Sequence, residues 1–222
     1  MITLHYLQNS RSQRLAWLLE ELGQPYTLKR YERNPRTQLA PAALKALHPL
    51  GKAPVLTDGA LVLAESGAIV EYLIDCYGAG RFKPEGQQAQ ALCDYRFWLH
   101  FAEGSMMPQL VFGLVLSTAR AKTPRLVRPV VAAVEQGIQK QFIQPTLQAQ
   151  LALVEQTLGR QPWLVAGPEP SGADVMMSFP LEALAARKLL DGYPRIQDWV
   201  RRVHARPAYQ AALQKSGEYD YA

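Results

Sequence analysis

The periodicity of the chain changes near residue 80, and that change restricts the fold more than any other feature. Before it, apolar residues alternate by two in Ile2–Tyr6, then recur at three and four in Leu15, Leu18, Leu19 and Leu22. This predicts a strand, then a helix over Ser12–Gly23 with Gly23 as its C-cap, then a second strand at Tyr26–Leu28. Pro41 can open a short helix through Leu47, because the first helical turn has no use for the missing N–H. Pro54–Thr57 and Leu61–Ala64 flank Asp58-Gly59, the signal of a tight antiparallel hairpin. Ser66–Tyr77, with Ile69, Leu73 and Cys76 inward, closes an α/β unit in the order β-α-β-α-β-β-α.

No strand pattern follows. Gly78–Gly86 reads as a linker, and Leu92, Tyr95, Leu99, Ala102 and Met106 then form the stripe of a helix packed on other helices. Pro108 is expected to bend or interrupt it, since proline blocks the bond to the preceding turn. Val130–Leu158 carries a second long helical pattern. Ser171–Asp174 is a capping box opening a helix over Asp174–Leu190 that is apolar nearly all round, the mark of a buried central helix, with a kink expected at Pro180. Ile196, Trp199, Val200 and Val203 mark the last amphipathic helix. The expected division is an α/β domain over 1–80, a linker over 81–86 and an all-α domain over 87–222.

Composition removes several functions. The longest apolar run, Leu110–Leu116, is far short of the ~20 residues a membrane span needs, and Met1–Tyr6 has no leader pattern. Lys and Arg exceed Asp and Glu by five (24 against 19), but Arg120, Lys122, Arg125, Arg128 and the arginines near the C-terminus lack interleaved aromatics or a reading motif. They read as solvated helix faces, so neither nucleic acid nor membrane is an expected partner. Cys76 and Cys93 have no CxxC or metal-ligand spacing and are expected to be reduced and buried, which fits a cytoplasmic protein with no metal.

Three segments can carry chemistry. Ala53-Pro54 opens a strand with a residue that has no N–H, which frees Ala53 to offer its own N–H and C=O to a bound peptide; the plain alternative is a proline at a strand start. A cis bond is also accessible there, at only ~0.5–1 kcal/mol above trans. Glu65-Ser66 sits where strand becomes helix. Ser66 serves either as a simple N-cap or as part of an anion site at the helix N-terminus, with Glu65 facing an ammonium group. The Tyr6–Arg14 segment links the first strand to the first helix, where a hydroxyl can stabilise a thiolate. Two units of thiol pKa correspond to ~2.7 kcal/mol, within reach of one hydrogen bond plus a helix dipole. Ser10, Tyr6 and Asn9 are the candidates, with Ser12 able to take over a plain capping role.

Taken together, Leu18–Gly23, the Pro54 segment, Glu65–Ile69, the Ser171 box and Tyr193–Ile196 with Trp199 resemble the glutathione S-transferases, the bacterial and fungal ones most. The resemblance covers essentially the whole chain. It implies a thioredoxin-like N-terminal domain, an all-α helical-bundle C-terminal domain, and a homodimer. It also implies glutathione as co-substrate and no permanently bound cofactor. Carried over by position, Ala53 pairs with the cysteinyl backbone beside Pro54, Glu65 and Ser66 hold the γ-glutamyl end, and Lys52 meets the glycine carboxylate. Ser10 stands where serine-type members place their catalytic hydroxyl, and Tyr6 near the place of the tyrosine-type phenol. A serine where other classes carry a cysteine argues against disulfide reduction. The partner subunit's Glu103 or the partner subunit's Asp94 would assist. Tyr95, Trp98, Met106, Met107 and Phe112 would line the electrophile site, each with core packing as the plain alternative. The activity implied is addition of glutathione to an electrophile. A peroxidase, isomerase or dehalogenase on the same site, or a non-catalytic interaction protein, are the alternatives.

Overall fold

The computed structural model describes residues 1–84 and 89–222. The first part runs β1 (Ile2–Leu7), α1 (Ser12–Leu22), β2 (Tyr26–Tyr31), α2 (Ala42–Leu47), β3 (Val55–Asp58), β4 (Leu61–Ala64) and α3 (Ser66–Tyr77). The sheet order is β2-β1-β3-β4, with β1 parallel to β2 and β3 antiparallel to β1 and β4. Leu4 stands opposite both Leu28 and Leu56. Because strand side chains alternate, Ile2, Leu4, Tyr6 and Leu56 join the main core, while Leu7 and Tyr31 pack with Leu44 of α2. α1 ends at Gly23, whose φ of 65° suits a residue without Cβ.

The hairpin turn sits one residue later than Asp58-Gly59. Asp58 pairs with Leu61 as the last residue of β3, and Gly59 and Ala60 form the turn. The Asp58 carboxylate accepts hydrogen bonds from the hydroxyls of Tyr72 (3.1 Å) and Tyr77 on α3, which draws it into the strand end. Cys76 is exposed, not inward: Ile69, Val70, Leu73 and Ile74 form the buried face, and Tyr77 packs where the helix meets Asp58. Cys93 is exposed as well, on the side of its helix opposite Tyr95, Trp98 and Leu99.

The second part is helical. α4 (Ala89–Phe101) passes through a π-helical turn (Ala102–Met106) into α5 (Met107–Lys122), and α6 (Arg128–Ile138) passes through another (Gln139–Ile143) into α7 (Gln144–Leu158). Each π turn precedes a proline, Pro108 or Pro145, at the start of the next α-helix. Proline clashes with the carbonyl four residues back, and the wider turn relieves that clash without ending the helix. The linker expected over 81–86 falls partly on Glu85 and Gly86, outside the described residues.

α8 (Gly172–Ala186) is the buried central helix and packs against α1, α3, α4 and α9 (Pro194–His204). It stops before Leu190 because Lys188 turns left-handed (φ 57°), while the Leu189 N–H closes on the Leu184 carbonyl at 3.0 Å. Fully buried Asp174 accepts from the N–H (2.9 Å) and hydroxyl (2.8 Å) of Ser171, from the Leu164 N–H (2.9 Å) and from the Trp199 indole (3.2 Å). α9 is not the last helix: α10 (Pro207–Ser216) follows and packs on α1, with Tyr209 and Ala212 buried. Among the described residues, no helix is long and apolar enough to cross a membrane.

α8 runs unbroken through Pro180. Proline has no N–H for the carbonyl four residues earlier, which is that of Met176. The fully buried guanidinium of Arg14, on α1, donates to that carbonyl at 2.7 Å and also pairs with Glu103 of the first π turn. Replacing Arg14 by Leu strands the Met176 carbonyl and leaves Glu103 with Arg11 alone, and should cost about 3 kcal/mol in urea unfolding at fixed protein concentration. In a Pro180→Ala background, which returns an N–H to Met176, the loss should shrink by roughly 1 kcal/mol.

Candidate functional site

Three elements converge on one cavity of about 180 Å³, lined by Arg11, Leu50, Lys52, Ala53, Pro54, Ala64, Glu65, Ser66 and Glu103. Its floor comes from the approach to β3. Gly51 takes a φ of 57°, and a side chain there would run into Lys45, so the turn before Lys52 requires glycine. The Ala53–Pro54 bond is cis. The ladder to β1 and β4 begins only at Val55, leaving Ala53 outside it.

One wall is the start of α3. Glu65, not Ser66, holds the cap position, and Ser66 is the first helical residue, buried beneath it. Glu65 is left-handed (φ 72°), an unfavourable place for a residue with a Cβ, and its carbonyl receives the Ile69 N–H at 3.0 Å. Among the described residues, no side chain caps this helix. The N–H groups of its first turn therefore remain for an anion, where the helix dipole also favours negative charge.

The opposite wall crosses from the first part of the chain to the second. Arg11, just before α1, donates through Nε to both oxygens of Glu103 at 3.0 and 3.1 Å, and Arg14 pairs with the same carboxylate. The Phe179 ring lies beneath both guanidinium groups, whose central carbons are 5.7 and 5.9 Å from its centroid. Burial pushes the Glu103 carboxyl upward, but the Arg14 and Arg11 charges outweigh it and hold the group below its ordinary range.

The cavity thus gathers Lys52, Ala53, Pro54, Glu65 and Ser66, all named from sequence. The candidates for thiolate stabilisation, Tyr6 at the end of β1 and Asn9 and Ser10 in the turn after it, are not among the residues that line the cavity. The Ser10 hydroxyl is buried, 2.7 Å from the Leu7 carbonyl and 2.9 Å from the Ser12 hydroxyl, and accepts the Ser12 N–H at 3.1 Å. Tyr6 lies in the core and donates to Gln13 at 3.0 Å, with burial pushing its phenol up to about 12. Asn9, left-handed at φ 49°, is bound at both ends of its amide to Asp220, at 2.6 and 3.0 Å. Tyr95, Trp98, Met106 and Met107 pack in the main core, and Phe112 stands exposed on α5. Asp94 accepts from Gln90 at 2.9 Å on α4.

Sequence reasoning missed Arg11 as a wall residue and placed Glu103 only as a partner's acid. A signal was available: two arginines, Arg11 and Arg14, stand at the start of a helix, where the dipole disfavours cations. Such a placement requires an acid from elsewhere in the fold. Among the described residues, no three His, Cys, Asp or Glu side chains gather to hold a metal ion.

Two family models match, "Glutathione S-transferase, N-terminal domain" over residues 10–76 and "Glutathione S-transferase, C-terminal domain" over residues 117–202. The chain belongs to the glutathione S-transferase family. It is 37% identical over 217 residues to glutathione S-transferase 3 of Schizosaccharomyces pombe, covering 97% of this chain and 88% of the relative. A crystal structure of a glutathione S-transferase from Actinobacillus pleuropneumoniae matches with a TM-score of 0.81 and 36% identity, over 100% of this chain and 95% of that one. The disulfide-bond oxidoreductase YfcG of Escherichia coli is 26% identical over 224 residues, 97% of this chain and 96% of the relative. The four-stranded mixed sheet followed by a helical bundle is the family's thioredoxin-like and all-α arrangement.

The depressed Glu103 carboxyl sets the sign of a pH effect. Its pairing stabilises the protein above the unfolded carboxylate pKa and is lost as pH falls through the lower folded value. Glu103→Gln should therefore be less stable than the parent at neutral pH but lose less stability between about pH 5 and pH 2, followed by urea unfolding at each pH.

Proposed function

We propose that the cavity binds glutathione and that the protein adds the tripeptide's sulfur to small electrophiles. The observation that carries this is the meeting, in one cavity, of an unpaired strand approach at Ala53-Pro54, an uncapped helix N-terminus at Ser66, and side chains of both charges. Glutathione presents a main chain, an ammonium group, two carboxylates and a thiol. Ala53 pairs with the cysteinyl main chain, as in β-strand addition. The start of α3 with Ser66 takes the γ-glutamyl carboxylate, Glu65 the ammonium and Lys52 the glycine carboxylate. The β1–α1 turn supplies the hydroxyl that stabilises the thiolate, with Ser10 the residue whose position in the family's pattern fits; its rotation away from Leu7 would free it for the sulfur.

The working form is a homodimer. Large apolar side chains left exposed on β4 (Leu61, Val62), α4 (Phe97) and α5 (Val111, Leu114, Val115) suit such an interface. The two free, exposed cysteines suit a reducing compartment, the cytoplasm. The likeness to the oxidoreductase YfcG supports a second reading, glutathione-dependent redox chemistry. No cysteine lines the cavity, so that chemistry would run through the sulfur of glutathione itself.

Titration calorimetry with glutathione tests the site. Glu65→Ala and Ser66→Ala should each weaken binding by roughly tenfold, the worth of one charge-assisted contact. Ser10→Ala should lower turnover with an aryl halide much more than it weakens binding. Absence of binding to the parent protein at millimolar glutathione would refute the reading.

A further inference from the structure

From sequence, Arg120, Lys122, Arg125 and Arg128 read as solvated helix faces, but the structure sets exposed apolar side chains among them. α5 and α6 form a hairpin: they pack on each other, and Arg120 near the end of α5 pairs through Nε with Glu135 of α6 at 3.2 Å. Every residue of the turn and of the start of α6, from Pro124 to Val130, is exposed, Leu126 at 93% and Val130 at 67%. Beside this apex lies a hollow of about 620 Å³, lined by Arg120, Ala121, Arg125, Arg128, Pro129 and Ala132. Arg128 donates through Nε and Nη2 to the Thr123 carbonyl, at 3.3 and 3.0 Å, which fixes it across the end of α5. The sequence carries no acidic residue from Gly104 to Val134. The hairpin therefore holds four cations, Arg120, Lys122, Arg125 and Arg128, against one carboxylate, that of Glu135.

We propose that the apex of the α5–α6 hairpin docks on the surface of an anionic phospholipid bilayer. The arginines of the hollow take lipid phosphates, whose oxygens match the planar fork of a guanidinium. Leu126, Val127 and Val130 enter the boundary between headgroups and acyl chains, as the apolar side of an interfacial helix does. Charge and shape together favour this occupant. Four cations against one acid complement a negatively charged surface. A convex apolar apex needs a matching pocket on a protein partner, whereas a bilayer yields to it. Nucleic acid would meet the arginines but leave Leu126 in water. The attachment is peripheral, since among the described residues no helix is long and apolar enough to cross a membrane. It is independent of the glutathione reading: none of these residues lines that cavity, and the α5 side chains suited to a dimer interface, Val111, Leu114 and Val115, precede them in the chain.

Co-sedimentation of the full chain with vesicles tests the proposal. The protein should sediment with phosphatidylcholine vesicles containing roughly a third phosphatidylserine and not with phosphatidylcholine alone, and added salt should release it. Arg125→Ala should weaken binding about fivefold, the share of one cation at an anionic surface, and Arg125→Lys should return most of that loss. Leu126→Ser should weaken it roughly tenfold, because the apolar contact is lost while the charges remain. Trp17, Trp98, Trp163 and Trp199 are all buried, so Leu126→Trp places a reporter at the apex. Vesicles of brominated phosphatidylserine should quench that indole and leave the emission of the parent protein unchanged. Circular dichroism should show each variant folded. Parent protein that stays in solution with the anionic vesicles, or that binds neutral ones equally well, would overturn the proposal. So would sedimentation that neither Arg125→Ala nor Leu126→Ser weakens, or an unquenched Leu126→Trp in the vesicle-bound protein. Binding of a duplex oligonucleotide in place of vesicles would assign the arginines to nucleic acid and overturn it as well.

Discussion

The guanidinium of Arg14 is the contact on which the rest of the arrangement depends. It is a full charge with no access to solvent, and such a group persists only when it is paired; here both Nη atoms find partners. One partner is the Met176 carbonyl that Pro180 leaves open inside the central helix, and the other is Glu103 in a π turn that Pro108 calls for. Two helix imperfections are thus turned toward one arginine. Through it α1 of the thioredoxin-like domain is tied to α8 and to the α4–α5 helix of the bundle. Glu103 then carries the link outward to Arg11, at the wall of the cavity.

That geometry divides the work of the site. In the proposed reading the first domain supplies what a peptide needs in order to be held: a strand approach outside the ladder, an open helix N-terminus and charges for the two ends of glutathione. In the same reading the reactive end faces the β1–α1 turn, beside the boundary with the second domain. There the net charge is set by residues from both domains, so docking of the bundle and the electrostatics of the site are one feature. Asn9, held in a left-handed conformation by Asp220 near the C-terminus, shows the same dependence. The turn between β1 and α1 is shaped by residues far away in the chain.

This explains which parts could be read from sequence. α3 is delimited by its own pattern, and Ser66–Tyr77 was found with both ends in place. The order of strands and the Gly23 cap are equally local properties. The capping box of Ser171 and Asp174 could be recognised, but not the Trp199 and Leu164 donors that share the same carboxylate. α10 was missed because its buried residues, Tyr209 and Ala212, make a weak stripe whose burial comes from α1. Cys76 and Cys93 were expected inside because periodicity gives the face of a helix but not where its packing partner ends. In the site, Lys52 to Pro54 and Glu65-Ser66 were legible because adjacent residues carry the geometry. The direction of the Ser10 hydroxyl, the core placement of Tyr95, Trp98, Met106 and Met107, and the Arg11–Glu103 pairing are tertiary facts, and only the misplaced charge at the start of α1 hinted at the last of them.

A crystal structure of the protein with glutathione bound tests the central claim most directly. The account predicts the cysteinyl main chain paired with Ala53, the γ-glutamyl carboxylate at the start of α3 beside Ser66, and the sulfur turned to the β1–α1 turn that carries Ser10. A tripeptide bound away from Ala53, or one seated there with its sulfur directed away from that turn, would contradict it.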